Sequence, residues 1–285
     1  MIESIRGGLE ERVGVLAEAE LVTDRRGVQV WRVTAGAGQR LAVKIATADS
    51  GGGRALGPRR EVSVLRAIGQ RTLSPRVPLV DGGVFTVTPW FDGSSTWEVF
   101  RAARGDRVPS AEERGRMLVA GVDFCRAVAE LHEIGWSHGD LQAAHCVHAA
   151  AGPRLIDFAN AQGESPLPEG ELNTPFSGGL AHLEAPELAA GGGATPTPAS
   201  DVYALGGSLW VAASGQWPLD YSAVGVDPQA ASLSELRAVI AEGRVPLNRA
   251  GTAVPSLLGV LAPALDPHPD NRPTADELAR SLGAL

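Results

Sequence analysis

Two places in this chain hold side chains whose types and spacing could do chemistry. The first is HGDLQAAHCVH, from His138 to His148. Three histidines, a cysteine and an aspartate fall within these eleven residues. His and Cys crowded together suggest a metal site. The alternative is a loop for some other chemistry, in which most of these side chains are incidental. The second place is one residue. Lysine and arginine together number 25, and all but Lys44, in LAVKIA, are arginines. A genome rich in GC could favour arginine wherever it serves equally well. Lysine would then survive where a compact point charge on a thin stem is needed and a bulky, planar guanidinium fails.

Composition narrows the classes. The 285 residues suit one large domain or two lobes around a substantial core. Apolar content of 44% and charged content of 20% are ordinary for a folded, water-soluble protein. No run of eighteen apolar residues suggests a membrane span, and MIESIRGGLEERVG lacks the apolar stretch of a secretory signal. The expected compartment is the cytoplasm. Cys125 and Cys146 are too few for a disulfide framework. A net charge of −8 argues against nucleic acid as a partner, because such binding neutralises phosphates. RALGPRRE, residues 54–61, is the one local basic candidate.

The flanks of both places name the elements that must position them. Residues 13–47 alternate and are rich in Val, with DRRG and AGAGQ as turns, which predicts three antiparallel strands. Lys44 falls on the third. The loop DSGGGRALG follows, and then PRREVSVLRAIGQR has helical spacing, with Val62, Leu65 and Ile68 on one face and Glu61 near its start. RVPLVDGG and VFTVTPWF read as two more strands, and DGSST as a linker. Residues 1–92 thus form a five-stranded sheet with one helix. Residues 93–285 are mainly helical. The clearest helix covers 111–135, with Ser110 as N-cap and Gly135 past its end. The HGD loop, a short strand PRLIDFA and a Gly/Pro/Ser-rich stretch over 160–182 follow. GGGATPTPAS reads as a surface loop, and helices are expected over DVYALGGSLWVAAS, SLSELRAVIAEG, TAVPSLLGVLAPAL and TADELARSLGAL. The fold class is α+β, with a small sheet-rich lobe, a larger helical lobe and a ligand cleft expected between them.

Lys44 on a strand, Glu61 on the next helix, Asp140 in HGD and Asp157 in IDFA come in an order that resembles the protein-kinase-like superfamily. LAVKIA is similar to the family's V-A-I-K strand, and LIDFA to its D-F-G strand end. HLEAPE (182–187) is similar to its A-P-E motif. SDVYALG (200–206) and DPHPDNRPTADEL (266–278) resemble later helical signatures of Ser/Thr kinases. The resemblance extends over nearly the whole chain.

It implies ATP and Mg²⁺, or Mn²⁺, as cofactors. Lys44 would contact the α- and β-phosphates, and Glu61 would pin it by an ion pair. Asp157 would hold the metal, whose preferred ligands are hard oxygens. Asp140 would accept or orient the proton of the acceptor hydroxyl. VTPWFDG (87–93) matches the adenine hinge, with Thr88 as gatekeeper and the backbone of Pro89, Trp90 and Phe91 at the adenine edge. Pro89 has no N–H, so a neighbour must donate. His138 would be structural.

The departures from the family are specific. DRRGVQVW has one glycine, Gly27, where the family has G-x-G-x-x-G, so fewer backbone amides approach phosphate. Arg25 and Arg26 could substitute by side chain, or form a solvated turn. Gly139 replaces the arginine that reads a phosphorylated loop, which argues against switching by loop phosphorylation. Gln142 stands for a catalytic lysine near the γ-phosphate. His145 stands for the metal-binding asparagine, as a softer metal ligand, a phosphate contact or neither. Ala159 replaces glycine in D-F-G, and Leu180 replaces a threonine that touches the catalytic aspartate. Zinc on His138, His145, Cys146 and His148 is disfavoured, because H-x6-H-C-x-H matches no zinc spacing. If 146–148 is a strand, Cys146 and His148 flank a core-facing Val147.

The first reading is an ATP-dependent phosphotransferase acting on Ser/Thr hydroxyls of a protein or peptide. One variant is a natural-product precursor peptide whose phosphate a partner lyase then eliminates, as in lanthipeptide maturation. The alternatives are a pseudokinase that serves as a binding or scaffold module, and a small-molecule kinase, which HGDL suggests.

Overall fold

The Val-rich alternation of the N-terminal region resolves into three antiparallel strands, β1 (Glu18–Arg25), β2 (Val28–Ala35) and β3 (Gln39–Ala46). β4 (Val77–Pro78) and β5 (Val84–Pro89) complete a sheet of order β1-β2-β3-β5-β4. The computed structural model describes residues 2–25, 27–46, 56–69, 77–78, 84–105, 107–249 and 254–285. Arg26, most of the Gly-rich loop at 49–57, part of the basic stretch at 54–61 and most of the expected fourth strand lie outside the described residues.

Leu41, Val43 and Ile45 on β3 are fully buried and pack with Val33, Phe85 and Val87. Side chains alternate along a strand, so Ala42, Lys44 and Ala46 share the opposite face. Burying one large aliphatic side chain is worth about 1.5–3 kcal/mol, and a slip of one residue would drive Lys44 into that core. The apolar face therefore fixes the direction of the lysine.

Helix α1 (Ile2–Val13) covers the same core with Ile2, Ile5 and Leu9. Its sequence does not announce it, because Gly7 and Gly8 lower helix propensity in its middle. Helix α2 (Leu56–Ala67) forms where the spacing placed it. Val62 and Leu65 are buried as expected, and Ile68 lies just past its end. Arg60, Glu61 and Ser63 are buried on α2 as well.

The chain divides into two units. One is Met1–Phe91 with Ser165–Thr174, and the other is Asp92–Glu164 with Pro175–Leu285. In the second unit, DGSST is structured and is not a linker. It forms β6 (Gly93–Ser95) and the start of α3 (Thr96–Val99), whose N-cap is Ser95. A Cβ on Gly93 would lie 2.2 Å from the His148 carbonyl oxygen, so glycine allows β6 to lie against its neighbour.

Helix α4 (Ala111–Glu133) starts at Ser110, whose hydroxyl takes the Glu113 N–H in a capping box. Gly135 follows its end with φ +75°. β7 (Trp136–Ser137), β8 (Cys146–Ala149), β9 (Gly152–Leu155) and β10 (Gln162–Gly163) frame the HGD loop, in sheets β6-β8-β9 and β10-β7. Cys146 is the buried residue of β8 and Val147 is half-exposed, the reverse of the sequence expectation. His148 shares the inward side with Cys146 and meets Thr96 Oγ1 at 2.8 Å.

The remaining helices are α5 (Pro186–Ala189), α6 (Pro198–Ser214), α7 (Leu233–Ala241), α8 (Pro255–Leu261) and α9 (Ala275–Gly283). α6 is buried nearly all round. The stretch 191–200 is a loop only up to Thr197, which caps α6 with Pro198 as its first helical residue. The class is α+β, a sheet-rich unit and a mainly helical one. No helix among the described residues is long and apolar enough to cross a membrane.

Candidate functional site

In the first unit, Lys44 leaves β3 on the face opposite the core and its Nζ meets Glu61 Oε2 at 2.6 Å. Both side chains are largely buried, at 18% and 10% exposure. The pair joins sheet to helix, because Lys44 lies between Val30 of β2 and Thr86 of β5 while Glu61 comes from α2. The pairing expected from the sequence is present.

Thr88 pairs with Ala42 across β3 and β5. Pro89 ends β5, and the Trp90 N–H donates to the Arg40 carbonyl at 3.1 Å. The Trp90 ring lies 5.5 Å from the Arg32 guanidinium. With Trp90 tied to the sheet and Pro89 lacking a donor, Phe91 carries the next backbone amide along the chain. At the other end, Arg25 pairs with Val28, and the chain between β1 and β2 turns at Gly27. Such turns need left-handed backbone, and Gly27 has φ +76°. The turn alone accounts for that glycine. Arg25 is exposed beside it.

In the second unit, the HGD loop hangs on a residue that sequence reasoning passed over. Asp201, on α6, is 1% exposed. Its carboxylate accepts from the His138 N–H at 2.6 Å, the Gly139 N–H at 2.9 Å and His132 Nε2 at 3.0 Å. His138 is fully buried, and burial holds its imidazole below the ordinary histidine range. Nε2 donates to the Ile156 carbonyl at 3.0 Å and Nδ1 accepts the Asp140 N–H at 3.3 Å. The neutral ring thereby ties the Asp140 backbone to the strand end before Asp157. Gly139 has φ +75°, and a Cβ there would fall 2.6 Å from the Asn160 carbonyl oxygen and 2.8 Å from Pro196 Cγ.

Asp140 Oδ1 receives Gln142 Nε2 at 3.0 Å and the Leu180 N–H at 3.3 Å. Both donors sit on one oxygen, Oδ1, and not on Oδ2. Leu180 thus keeps, through its backbone, a contact that its side chain cannot make. Gly179 permits the approach, since a Cβ there would lie 2.6 Å from Asp140 Oδ1. Gly139, Asp140, Gly179, Leu180 and Glu184 line a small cavity beside the carboxylate.

His145 Nδ1 donates to the Asp140 carbonyl at 2.8 Å. A carbonyl cannot donate, so in the neutral ring Nε2 carries the lone pair. Nε2 lies 3.8 Å from Asp157 Oδ2. Asp157 has φ +66°, the one left-handed non-glycine among the described residues. The conformation is held from both sides: the Ile156 N–H bonds the His145 carbonyl at 2.9 Å, and buried Phe158 packs 4.8 Å from the His138 ring. Such backbone costs about 1–3 kcal/mol and concentrates at functional positions. Asp157 and His145 offer two donors to a cation. Among the described residues, no three His, Cys, Asp or Glu side chains converge on one point, so a cation here would draw its other ligands from phosphate oxygens or water. Cys146 is fully buried, and burial pushes its thiol up to about 12.

Two ion pairs fasten the segment after the loop. Arg237 meets Glu184 at 2.7 Å. Arg272 grips Glu187 with both terminal nitrogens, at 2.7 and 2.8 Å, and lies over the Tyr203 ring.

No protein-family model matches the chain. Part of it is similar to curated bacterial kinases. It is 30% identical over 184 residues to the probable serine/threonine-protein kinase PkwA of Thermomonospora curvata, covering 64% of this chain and 22% of that protein. It is 35% identical over 99 residues to the serine/threonine-protein kinase PknK of Mycobacterium tuberculosis, covering 34% of this chain and 8% of that protein. The chain therefore spans less than a quarter of the curated relatives it matches.

Proposed function

We propose that this chain is an ATP-dependent phosphotransferase whose acceptors are Ser/Thr hydroxyls of a protein or peptide. The observation that carries the reading is the 2.6 Å pair between Glu61 and the chain's one lysine. A lysine held by a carboxylate presents its ammonium in one direction, as a polyphosphate ligand requires. The similarity to proteins named as serine/threonine kinases supports the same reading.

In this reading Lys44 holds the α- and β-phosphates, and the Phe91 N–H donates to the adenine edge beneath Thr88. Asp140 takes the acceptor's hydroxyl proton on Oδ2, while Gln142 and the Leu180 N–H steady Oδ1. Gln142 is neutral and adds no charge near the γ-phosphate. ATP supplies the phosphoryl group, and a divalent ion such as Mg²⁺ or Mn²⁺ neutralises its phosphates. Asp157 fits that ion as a hard oxygen donor, and His145 fits it as a softer nitrogen. A precursor peptide acted on next by a partner lyase is the finer version, because the loop departs from regulatory kinases at Gly139, Gln142 and His145.

A second reading, a nucleotide-binding module without transfer, is favoured by the tight turn at Gly27. The deciding experiment incubates the purified chain with radiolabelled ATP, Mg²⁺ or Mn²⁺, and candidate Ser/Thr peptides. Label should enter the cognate peptide, and Lys44→Met and Asp157→Asn should abolish it. If ATP fails to raise the melting temperature with every divalent metal tested, the enzyme reading fails. If ATP binds and no acceptor is ever labelled, the binding-module reading replaces it.

A further inference from the structure

The segment that brings the Leu180 N–H to Asp140 continues as a 3₁₀ turn, Ala181–Leu183, and then as α5. From Ala181 to Ala189 every residue is buried except His182 and Glu187. Glu187 is held by Arg272. His182, half-buried, is the residue this stretch turns toward the surface without an ion pair. Trp217 covers one face of its imidazole, with ring centroids 4.2 Å apart and planes 18° from parallel, and Tyr221 meets it edge-on at 5.4 Å. The stack has a firm base. Tyr221 is buried, and Trp217 packs with it on a small core that includes Leu219, Leu236 and Ile240. The Asn248 N–H donates to the Pro218 carbonyl at 2.7 Å and fastens the residue after Trp217.

The chemistry of the exposed part follows from its partners. His182 Nδ1 lies 3.1 Å from the Tyr221 hydroxyl, which has no other hydrogen-bond partner among the described residues. A buried hydroxyl must place its proton, so Tyr221 donates to Nδ1 and Nε2 carries the ring proton. That N–H has no partner among the described residues. Burial holds the imidazole below the ordinary histidine range, so the ring is neutral. Glu184, two residues on, is already paired with Arg237. The surface is thus flat, aromatic and uncharged, with one donor at its rim. Such a face attracts another aromatic ring and offers little to a phosphate or a carboxylate.

Position sets a spacing. Leu180 touches Asp140, and the Cα atoms of Leu180 and His182 lie at most about 7 to 8 Å apart. An extended peptide advances about 3.3 Å per residue. A peptide whose hydroxyl sits at Asp140 therefore brings a side chain to His182 from two or three residues away. We propose that the His182–Trp217 stack selects the acceptor: it takes an aromatic side chain two or three residues from the Ser/Thr hydroxyl that receives phosphate, and the His182 Nε2–H donates to a backbone carbonyl of the same peptide. The inference rests on the transferase function proposed above and names the acceptors of that site. His182 determines specificity and takes no part in the transfer itself.

The test uses the full chain, ATP, Mg²⁺ and a positional library of peptides. Each peptide has one central Ser or Thr, with Phe or Ala placed in turn at each of the nearest flanking positions on both sides. Phe at the second or third position on one side should raise kcat/KM over Ala by about two- to tenfold, seen in KM, as the strength of aromatic pairs implies. His182→Ala should bring that ratio to about one. His182→Phe should restore it, which a merely structural loss would not do. A ratio of one at every position in wild type, or a ratio unchanged in His182→Ala, overturns the stack as a selector while transfer stands. A second readout needs no transfer. The His182 Cε1–H proton resonance, assigned by its loss in His182→Phe, should shift on addition of the Phe peptides and not of their Ala counterparts. That shift with no peptide ever labelled keeps the stack as a peptide site and rejects the transferase reading. No shift with any Phe peptide, together with no label, overturns the stack.

Discussion

His145 reaches toward Asp157 through one particular nitrogen. Nδ1 is committed to the Asp140 carbonyl, and Nε2 faces Asp157 Oδ2 at 3.8 Å. The same imidazole therefore links the backbone of the proposed catalytic aspartate to the proposed metal aspartate.

This arrangement predicts a metal preference. An imidazole nitrogen favours Mn²⁺ relative to Mg²⁺ more than an amide oxygen does. His145→Asn should move the ratio of Mg²⁺- to Mn²⁺-supported transfer toward Mg²⁺ by about tenfold, the lower end for changes around a metal. Metal titrations of wild type and variant provide the check. A superimposable pair of profiles removes His145 from the metal shell.

Gly179→Ala tests Asp140 without altering it. The added methyl would lie 2.6 Å from Asp140 Oδ1 on the present backbone, so the carboxylate must shift. A displacement near 1 Å at a reacting group can lower a rate by about 100-fold. Transfer should fall by ~10- to 100-fold, with the melting temperature little changed and ATP affinity retained. Activity equal to wild type would mean that Asp140 does not need its present position.

Much of this site is legible in the sequence because its side chains are set by short-range pattern. Lys44 is exposed to notice by its rarity, and the alternation of Leu41, Val43 and Ile45 already fixes its side of the sheet. Asp157 follows the apolar pair Leu155-Ile156, which reads as a strand end. Ser110 and Glu113 announce the start of α4. What escapes the sequence depends on partners far along the chain. Asp201 sits 62 and 63 residues from the amides it holds. Glu169 and Glu171 look like ordinary acids in a Gly/Pro/Ser-rich stretch until α2 brings Ser63 and Arg59 to them. The Leu180 contact is made by backbone, which no residue type reveals. DGSST reads as a linker because glycine and serine are usual there, yet Gly93 is needed for strand contact with His148.

Histidines wholly or partly shielded from water predict an acid-sensitive fold. Burial lowers the pKa of His138, His148 and His182, so the unfolded chain binds more protons than the folded one as pH falls through the ordinary value of 6.5. Their contribution is fully present above that value and is lost progressively below it, by up to about 1.4 kcal/mol per pH unit for each histidine. Urea unfolding at pH 7.5 and pH 5.5 should show lower stability at the acid end. His148→Gln should flatten the dependence. An equal or steeper slope in that variant would remove His148 from the effect.

Arg272→Lys should act as a severe change despite the conserved charge. The Arg272 side chain is fully buried, and besides Glu187 it serves the Ala199, Asp266 and Pro267 carbonyls. An ammonium cannot reproduce the two-pronged grip. The loss should be about 2–4 kcal/mol, visible as a lower urea midpoint. A midpoint within error of wild type would show that the network adapts to a point charge.

The crowding around Gly139 also limits what this protein can become. Even an alanine there meets the Asn160 carbonyl and Pro196, and its left-handed backbone disfavours any side chain. A lineage carrying this loop cannot gain a phosphate-reading arginine at that position by a single substitution. The stretch around Asn160 and the turn at Pro196 would have to be rebuilt first. New control over such a chain would more readily evolve at other surfaces, where one mutation can be tolerated alone.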